Sequence, residues 1–119
     1  MDFSDDALLE LLANQFKLLS DANRLKVLTC LKEGEKNVSQ IIEETGLKQA
    51  NVSKILISMA QTGVVARRKE GNSVFYHIVD DSIFDLCSLM CSRLQNNMAD
   101  YSKLAAVKNP FIHSVKPKN

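Results

Sequence analysis

The chain has 119 residues, of which 45% are apolar, and a formal net charge of +1. This length corresponds to one domain. No run of about eighteen uncharged apolar residues occurs, which argues against a membrane-spanning helix and a membrane partner. The acidic start, MDFSDDALLE, has the wrong charge for a secretory signal. We therefore expect a cytoplasmic protein.

Charge is distributed unevenly along the chain. The charged residues among residues 1–23 are acidic except for Lys17. Residues 46–78 carry Glu70 as their one acidic side chain, against the basic residues Lys48, Lys54, Arg67, Arg68 and Lys69. A basic segment of this kind is typical of a nucleic-acid-binding surface, even where the net charge is small.

Two helices are predicted before the basic segment. Apolar residues recur at helical spacing over residues 5–19. Ser20 or Asp21 can cap a second helix that runs to about Lys32, and Gly34 can end it.

Residues 39–63, SQIIEETGLKQANVSKILISMAQTG, predict two further short helices that join at Gly46. Ser39 is the expected cap of the third helix, and the fourth is expected from about Gln49 to Thr62. One stripe of the fourth helix is apolar and is predicted to be core: Val52, Ile55, Leu56 and Met59. A recognition helix points its N-terminal residues toward base edges in the major groove. The candidate DNA-binding residues are therefore Lys48, Gln49, Ala50, Asn51, Ser53 and Lys54.

A β-hairpin is predicted after these helices, from the strand-forming runs Val64–Lys69 and Val74–His77. Its loop is expected to be longer than an ideal two-residue turn. Arg67, Arg68 and Lys69 are expected to bind the DNA backbone or to enter the minor groove, mainly through phosphate charge. A solvated run of surface charge is the alternative, which the neighbouring helix pair disfavours.

Asp80 or Asp81 can cap a last helix from about Ser82 to Met98, with a continuation to Val107. Residues 108–119 are predicted to be a flexible tail, which leaves 1–107 as the domain. The order α-α-α-α-β-β-α is typical of a mainly α (α+β) winged helix-turn-helix. The first and last helices are apolar on more than one face, which predicts a homodimer through them.

Three segments together resemble the ArsR/SmtB family of winged-helix repressors: LLSDANRLKVLTCL, GEKNVSQIIEETGLKQANVSKILISMAQTGVV and RRKEGNSVFYHI. The resemblance spans about residues 8–98. It implies a homodimer that binds a palindromic double-stranded DNA operator, represses its own operon and in many members responds to a metal. Arg24 matches a common family position, where it can bind a phosphate or cap its own helix through Asp21.

The resemblance also implies two metal sites, but the chain lacks the ligands for both. Asn37 and Ser39 stand where one site has a pair of thiols. The positions of the other site hold Asp80, Ser82, Arg93 and Asn96, of which only Asp80 matches. We therefore expect no metal or other cofactor. Asp80 of one subunit can instead pair with Arg93 of its partner, or both can face water.

The three cysteines, Cys30, Cys87 and Cys91, do not form the framework of a secreted domain. Buried structural thiols are one interpretation, because free cysteine is a small apolar residue. A switch that responds to oxidants or reactive sulfur is another, implied by metal-free members of the family. The cysteines of those members align with Thr29 and Gln95. A thiophilic metal(loid) site is a third interpretation and requires three sulfurs to converge. His77 and His113 have no partner at metal-ligand spacing.

The sequence carries no phosphate-binding glycine loop, nucleophile elbow or paired carboxylate of an enzyme. We expect a sequence-specific transcriptional regulator, either a repressor or an anti-repressor. A winged-helix module that binds protein is the alternative, because the fold alone does not fix the partner.

Overall fold

The computed structural model describes residues 5–97 and 106–112. Within these ranges the elements are α1 (Asp5–Leu18), α2 (Ala22–Leu31), β1 (Lys36–Asn37), α3 (Val38–Thr45), α4 (Gln49–Gln61), β2 (Val65–Glu70), β3 (Ser73–Ile78) and α5 (Ser82–Asn97). The predicted winged helix-turn-helix is confirmed, with the short strand β1 in addition. The chain divides after Val79 into two compact units. No helix of the described ranges is long and apolar enough to cross a membrane.

The core of the first unit is formed by one face each of α2, α3 and α4. Val27, Leu28 and Leu31 of α2 and Ile41 of α3 are buried. The predicted stripe of α4 is buried as well: Val52, Ile55, Leu56 and Met59. Each fully buried side chain of this type stabilises the fold by about 1.5–3 kcal/mol, so this core fixes which face of α4 remains in solvent.

The start of α3 differs from the prediction. Its cap is Asn37 and not Ser39: the Asn37 Oδ1 accepts a hydrogen bond from the Gln40 backbone N–H at 2.9 Å. The Gln40 Oε1 accepts one in return from the Asn37 N–H, also at 2.9 Å. This reciprocal capping box satisfies two backbone donors at once. Asp21 caps α2 as predicted and accepts from the Arg24 backbone N–H at 3.1 Å.

The strands form one antiparallel sheet in the order β1-β3-β2. Glu70 pairs with Ser73, so the hairpin loop is only Gly71 and Asn72, and the longer loop predicted from the sequence is wrong. Gly71, the first loop residue, has φ +59°. Asn72, the second, does not have a positive φ. A positive φ at the first loop position alone is the pattern of a type II′ turn, whose twist matches that of the strands.

In the second unit, residues 106–112 are described together with α5. Asn109 is 4% exposed, and its side-chain amide donates to the Ser88 carbonyl oxygen at 3.0 Å and to the Ser92 Oγ at 3.2 Å. Its Oδ1 accepts from the Phe111 N–H at 2.9 Å, and Phe111 is also buried. This part of the expected flexible tail is therefore packed. The expected continuation of α5 over residues 98–105, and His113, lie outside the described residues.

Replacing Asn109 by alanine removes these bonds and leaves the buried Phe111 N–H without its acceptor. We expect N109A to lower the free energy of unfolding by about 1–3 kcal/mol, the usual effect of an unsatisfied buried polar group. Urea unfolding followed by circular dichroism measures this. Asn96 is exposed on α5, so N96A is the matched control and should change the value by no more than about 0.5 kcal/mol. Equal effects of the two variants would contradict the structural role of Asn109.

Candidate nucleic-acid interface

The turn between α3 and α4 sets the direction of the candidate recognition helix. Gly46 ends α3 with φ +73°, and its N–H donates to the Ile42 carbonyl oxygen at 2.9 Å. This left-handed residue is a common helix end that glycine adopts without strain. Two residues later Lys48 is the cap of α4, and its side chain makes no capping hydrogen bond. The positive end of the α4 dipole thus faces outward beside a lysine, an arrangement that favours anions.

All six residues predicted to contact DNA from α4 reach the surface. Lys48, Gln49, Ala50 and Lys54 are exposed, whereas Asn51 and Ser53 are half-buried. The apolar stripe of the same helix is buried on the other side. The helix therefore presents a polar, cationic face to solvent, as a helix that reads a groove must.

Part of this face lines a groove that sequence reasoning did not anticipate. Asn51, Lys54 and Ser58 of α4 share a cavity of about 300 Å³ with residues from the start of α2, namely Asp21, Asn23 and Arg24. Nothing in the spacing of the sequence links Asn23 or Ser58 to the other candidates, because the two helices meet only through tertiary packing. The groove extends the polar surface from α4 to α2.

The Arg24 side chain makes a contact that the sequence did not predict, and its role as a phosphate ligand stays a prediction. Its Nη1 donates to the carbonyl oxygens of Lys17 at 3.1 Å and Leu18 at 3.4 Å. These carbonyls belong to the last turn of α1, where cations are stabilising. The Arg24 side chain therefore caps the preceding helix, and its own helix is capped through its backbone N–H by Asp21.

The wing separates its three consecutive cations. Successive residues of a strand point to opposite faces of the sheet, so Arg67 and Lys69 lie on one face of β2 and Arg68 on the other. All three are exposed. Within the described part of the chain, Arg67 and Lys69 have no ion-pair partner, in contrast to Arg68.

Arg68 is held by two carboxylates. Its Nε and Nη2 donate to the two oxygens of Glu35, the first at 3.1 Å, and its Nη1 donates to Glu70 Oε2 at 2.7 Å. Its guanidinium carbon lies 5.1 Å from the centre of the Phe75 ring. The hydrogen bonds that Arg68 donates lower the pKa of Glu35. The bonds to Glu35, and to a smaller extent the bond to Glu70, raise the pKa of Arg68. Sequence reasoning missed Glu35 because it is 33 residues away along the chain.

Cys30 is buried, and its Sγ donates to Glu44 Oε2 at 2.9 Å. Lys36 donates to the same carboxylate oxygen. Burial, followed by the hydrogen bond to Glu44, raises the pKa of Cys30 to about 12. Since the thiolate is the reactive form, this environment keeps Cys30 a neutral and unreactive donor.

Cys87 and Cys91 lie one helical turn apart on α5. Cys87 is buried, and burial, together with the charge of Cys91, raises its pKa. Cys91 is half-buried, and all three cysteines are free. Across residues 5–97 and 106–112, no group of three His, Cys, Asp or Glu side chains is placed to hold a metal ion.

Asp80 and Arg93, the predicted pair across the dimer, are both exposed. The Asp80 Oδ1 accepts from the Ser82 N–H at 2.9 Å, and this bond lowers the pKa of Asp80. Asp80 is thus fixed at the start of α5. A pairing with a second subunit stays a prediction.

Two helices carry exposed apolar side chains that a water-soluble surface does not require. On α1 they are Leu8, Leu9, Leu11, Leu12 and Phe16, each 45–61% exposed. On α5 they are Leu86, Leu89, Met90 and Leu94. Contiguous apolar patches of this kind mark interaction sites.

Comparison with known proteins identifies the family. Residues 21–66 match the model of the bacterial regulatory protein, arsR family. The HTH-type transcriptional regulator Rv0324 of Mycobacterium tuberculosis is 31% identical over 100 residues, which are 84% of this chain and 44% of Rv0324. The uncharacterized HTH-type transcriptional regulator Rv0081 of the same species is 30% identical over 96 residues, which are 80% of this chain and 84% of Rv0081. The chain therefore spans less than half of the first relative and most of the second.

Solved structures agree with this assignment. The crystal structure of Rv0081 superposes with a TM-score of 0.71 and covers 80% of this chain and 96% of that one at 30% identity. The homodimeric winged helix-turn-helix DNA-binding domain of Mb0332 from Mycobacterium bovis superposes with a TM-score of 0.70, over 85% of this chain and 95% of that one, at 28% identity. The chain belongs to the ArsR family of DNA-binding winged-helix transcriptional regulators, which are not enzymes.

Proposed function

We propose that the protein is a sequence-specific repressor that binds a palindromic operator as a homodimer in the cytoplasm. The observation that carries the proposal is the polar, cationic outer face of α4, which lies opposite its buried apolar stripe. A helix of this kind fits the major groove with its first residues on the base edges.

The residues of α4 divide by chemistry. Gln49 and Asn51 carry amides that can pair with both the N6 and the N7 of adenine, and Ala50 suits a thymine methyl group. Ser53, Lys48 and Lys54 can bind bases or phosphates. On the wing, Arg67 and Lys69 have no ion-pair partner among the described residues. They suit the phosphate backbone, which contributes affinity without sequence information.

The exposed apolar faces of α1 and α5 support a second copy of the chain as partner. The winged helix-turn-helix DNA-binding domain of the relative Mb0332 is homodimeric, and a symmetric dimer presents two recognition helices to half-sites about 34 Å apart. Asp80 and Arg93 then pair across the interface as a carboxylate–guanidinium contact.

Binding to duplex DNA distinguishes this function from that of a protein-binding module. An operator is first selected from a random-sequence duplex library with the full-length protein, and affinity is then measured over a range of salt concentrations. We expect log Kd to rise steeply with log salt, by about 0.9 for each phosphate contact. Q49A should weaken operator binding by about 1–3 kcal/mol and leave binding to random-sequence DNA unchanged.

Gln61 provides the matched control, since it is exposed at the opposite end of α4. Q61A should bind the operator like the unmodified protein. Failure to select any duplex, or an affinity that is insensitive to salt, would exclude the proposed function and favour a protein partner.

We assign the proposed thiol response to α5, with Cys91 as the reactive residue. Cys91 is the most accessible of the three thiols, with Cys87 one turn away as a resolving partner, whereas Cys30 is neutral and buried. In this assignment Cys30 has a structural role between α2 and α3. The alternative with a thiophilic metal ion would require sulfur atoms from more than one helix.

The assignment predicts the order of thiol modification. In a C87S/C91S variant, iodoacetamide should label Cys30 slowly throughout the range below pH 9, because its pKa is about 12 and the thiolate is the nucleophile. In a C30S/C87S variant, Cys91 should react much faster. Mass spectrometry over time measures both rates. E44Q removes the carboxylate that raises the pKa of Cys30 and should accelerate its labelling; rapid labelling of Cys30 with Glu44 intact would contradict the assignment.

A further inference from the structure

We propose that Arg68 is a positioning residue that fixes the orientation of the wing, and that the DNA backbone is contacted by Arg67 and Lys69 alone among the three wing cations. The inference rests on the proposed function and assigns different roles to neighbouring residues that look equivalent in the sequence. It follows from the contacts of Arg68, from the alternation of β2 and from the charge on each face of the wing.

Arg68 connects β2 with β3 and with the residue that precedes β1. It lies opposite Phe75 in the register of β2 and β3, and its guanidinium stacks on that ring. It reaches beyond β3 to Glu35, which immediately precedes β1. Glu70, two residues along β2 on the same face, completes the set. We name the side chains of Arg68, Glu35 and Glu70 the wing clamp.

Three of the five N–H groups of Arg68 are already engaged by carboxylates. Nε, Nη1 and Nη2 each donate to a carboxylate oxygen of the wing clamp, and a planar guanidinium offers only five N–H groups in a fixed fork. A phosphate could bind in the same bidentate manner only by displacing Glu35. The contact with Phe75 also restricts the orientation of the guanidinium plane, and therefore the direction of the two remaining N–H groups.

Charge divides the two faces of the wing. The face with the wing clamp holds one cation and two carboxylates, and His77 adds an imidazole 3.8 Å from Glu35. The two carboxylates outnumber the one guanidinium, so this face is less favourable to a phosphate backbone than the opposite one. The other face of β2 presents Arg67 and Lys69 with no carboxylate paired to either among the described residues. Only this face can approach DNA without an electrostatic penalty.

The effect of Glu35 on DNA binding has opposite signs under the two alternatives. If Arg68 were a DNA ligand restrained by Glu35, E35Q would remove a negative charge, release the guanidinium and strengthen binding. If Arg68 positions the wing, E35Q breaks the wing clamp and weakens binding. The probe is a fluorescein-labelled random-sequence duplex of about 30 base pairs, long enough for two half-sites one turn apart, with affinity measured by anisotropy over a salt series.

We expect E35Q and R68Q to weaken binding while the slope of log Kd against log salt stays that of the unmodified protein. R67Q and K69Q should each reduce that slope by about 0.9, the value for one lost phosphate contact. The exchanged pair E35R/R68E should recover part of the affinity relative to R68Q, because it restores the ion pair between positions 35 and 68 but not the contacts with Glu70 and Phe75. A stronger-binding E35Q, or an R68Q whose slope falls as in R67Q, would overturn the inference.

Hydrogen exchange provides a readout without DNA. In R68Q, amide protons of β2 and β3 should exchange faster than in the unmodified protein, and in R67Q they should not. Unchanged exchange in R68Q would overturn the positioning role even for a protein that binds no duplex. Absence of DNA binding by the unmodified protein would instead refute the proposed function and leave the exchange result as the test of the wing clamp.

Discussion

The buried stripe of α4 is the interaction on which the other features of the interface depend. Because Val52, Leu56 and Met59 are fully buried, rotation of α4 about its axis would expose several apolar side chains at once. The free energy of that burial, summed over the stripe, is several times that of any single polar contact on the outer face. The outward direction of Gln49 and Lys54 is thus set by the core and not by contacts of their own.

The wing is organised by a different kind of interaction. Val65 is the one buried residue of β2 and β3, and Val74, Phe75, Tyr76 and Ile78 are half-buried. The placement of the strands therefore also relies on the backbone ladder and on polar side chains at the edge. The wing clamp supplies a connection that the core does not. A partly exposed ion pair contributes little to overall stability, but it can fix the direction of a six-residue strand whose function depends on direction.

Periodicity and turn residues were sufficient to predict most of the fold. The helices were predicted to within one or two residues at most ends, because apolar spacing and glycine stops are local signals. The short strand β1 was missed because two residues carry no period, and Asn37 was missed as a cap because Ser39 matches the same preference nearby. The sequence predicts a hairpin loop that is longer than the observed one, because Glu70 and Ser73 do not have the side chains that favour strands.

The site was less predictable than the fold, for a physical reason. Exposure of the α4 residues follows from the helical period, but the pairing of Arg68 with Glu35 and the neutral state of Cys30 arise from contacts between segments distant in sequence. A run of three cations looks uniform in sequence. Arg68 can be distinguished from Arg67 and Lys69 only when strand alternation is combined with the position of the distant carboxylate of Glu35. The packing of Asn109 on α5 is hidden for the same reason.

The tight register of the hairpin also constrains how related wings can diverge. With only Gly71 and Asn72 between paired strands, a single inserted residue in β2 would reverse the side of every residue beyond it. Arg68 and Glu70 would then turn toward the duplex and away from Glu35, which lies outside β2, and Arg67 and Lys69 would turn away from the duplex. Homologues with this architecture are thus expected to differ in wing length by even numbers of residues, or to carry a compensating bulge.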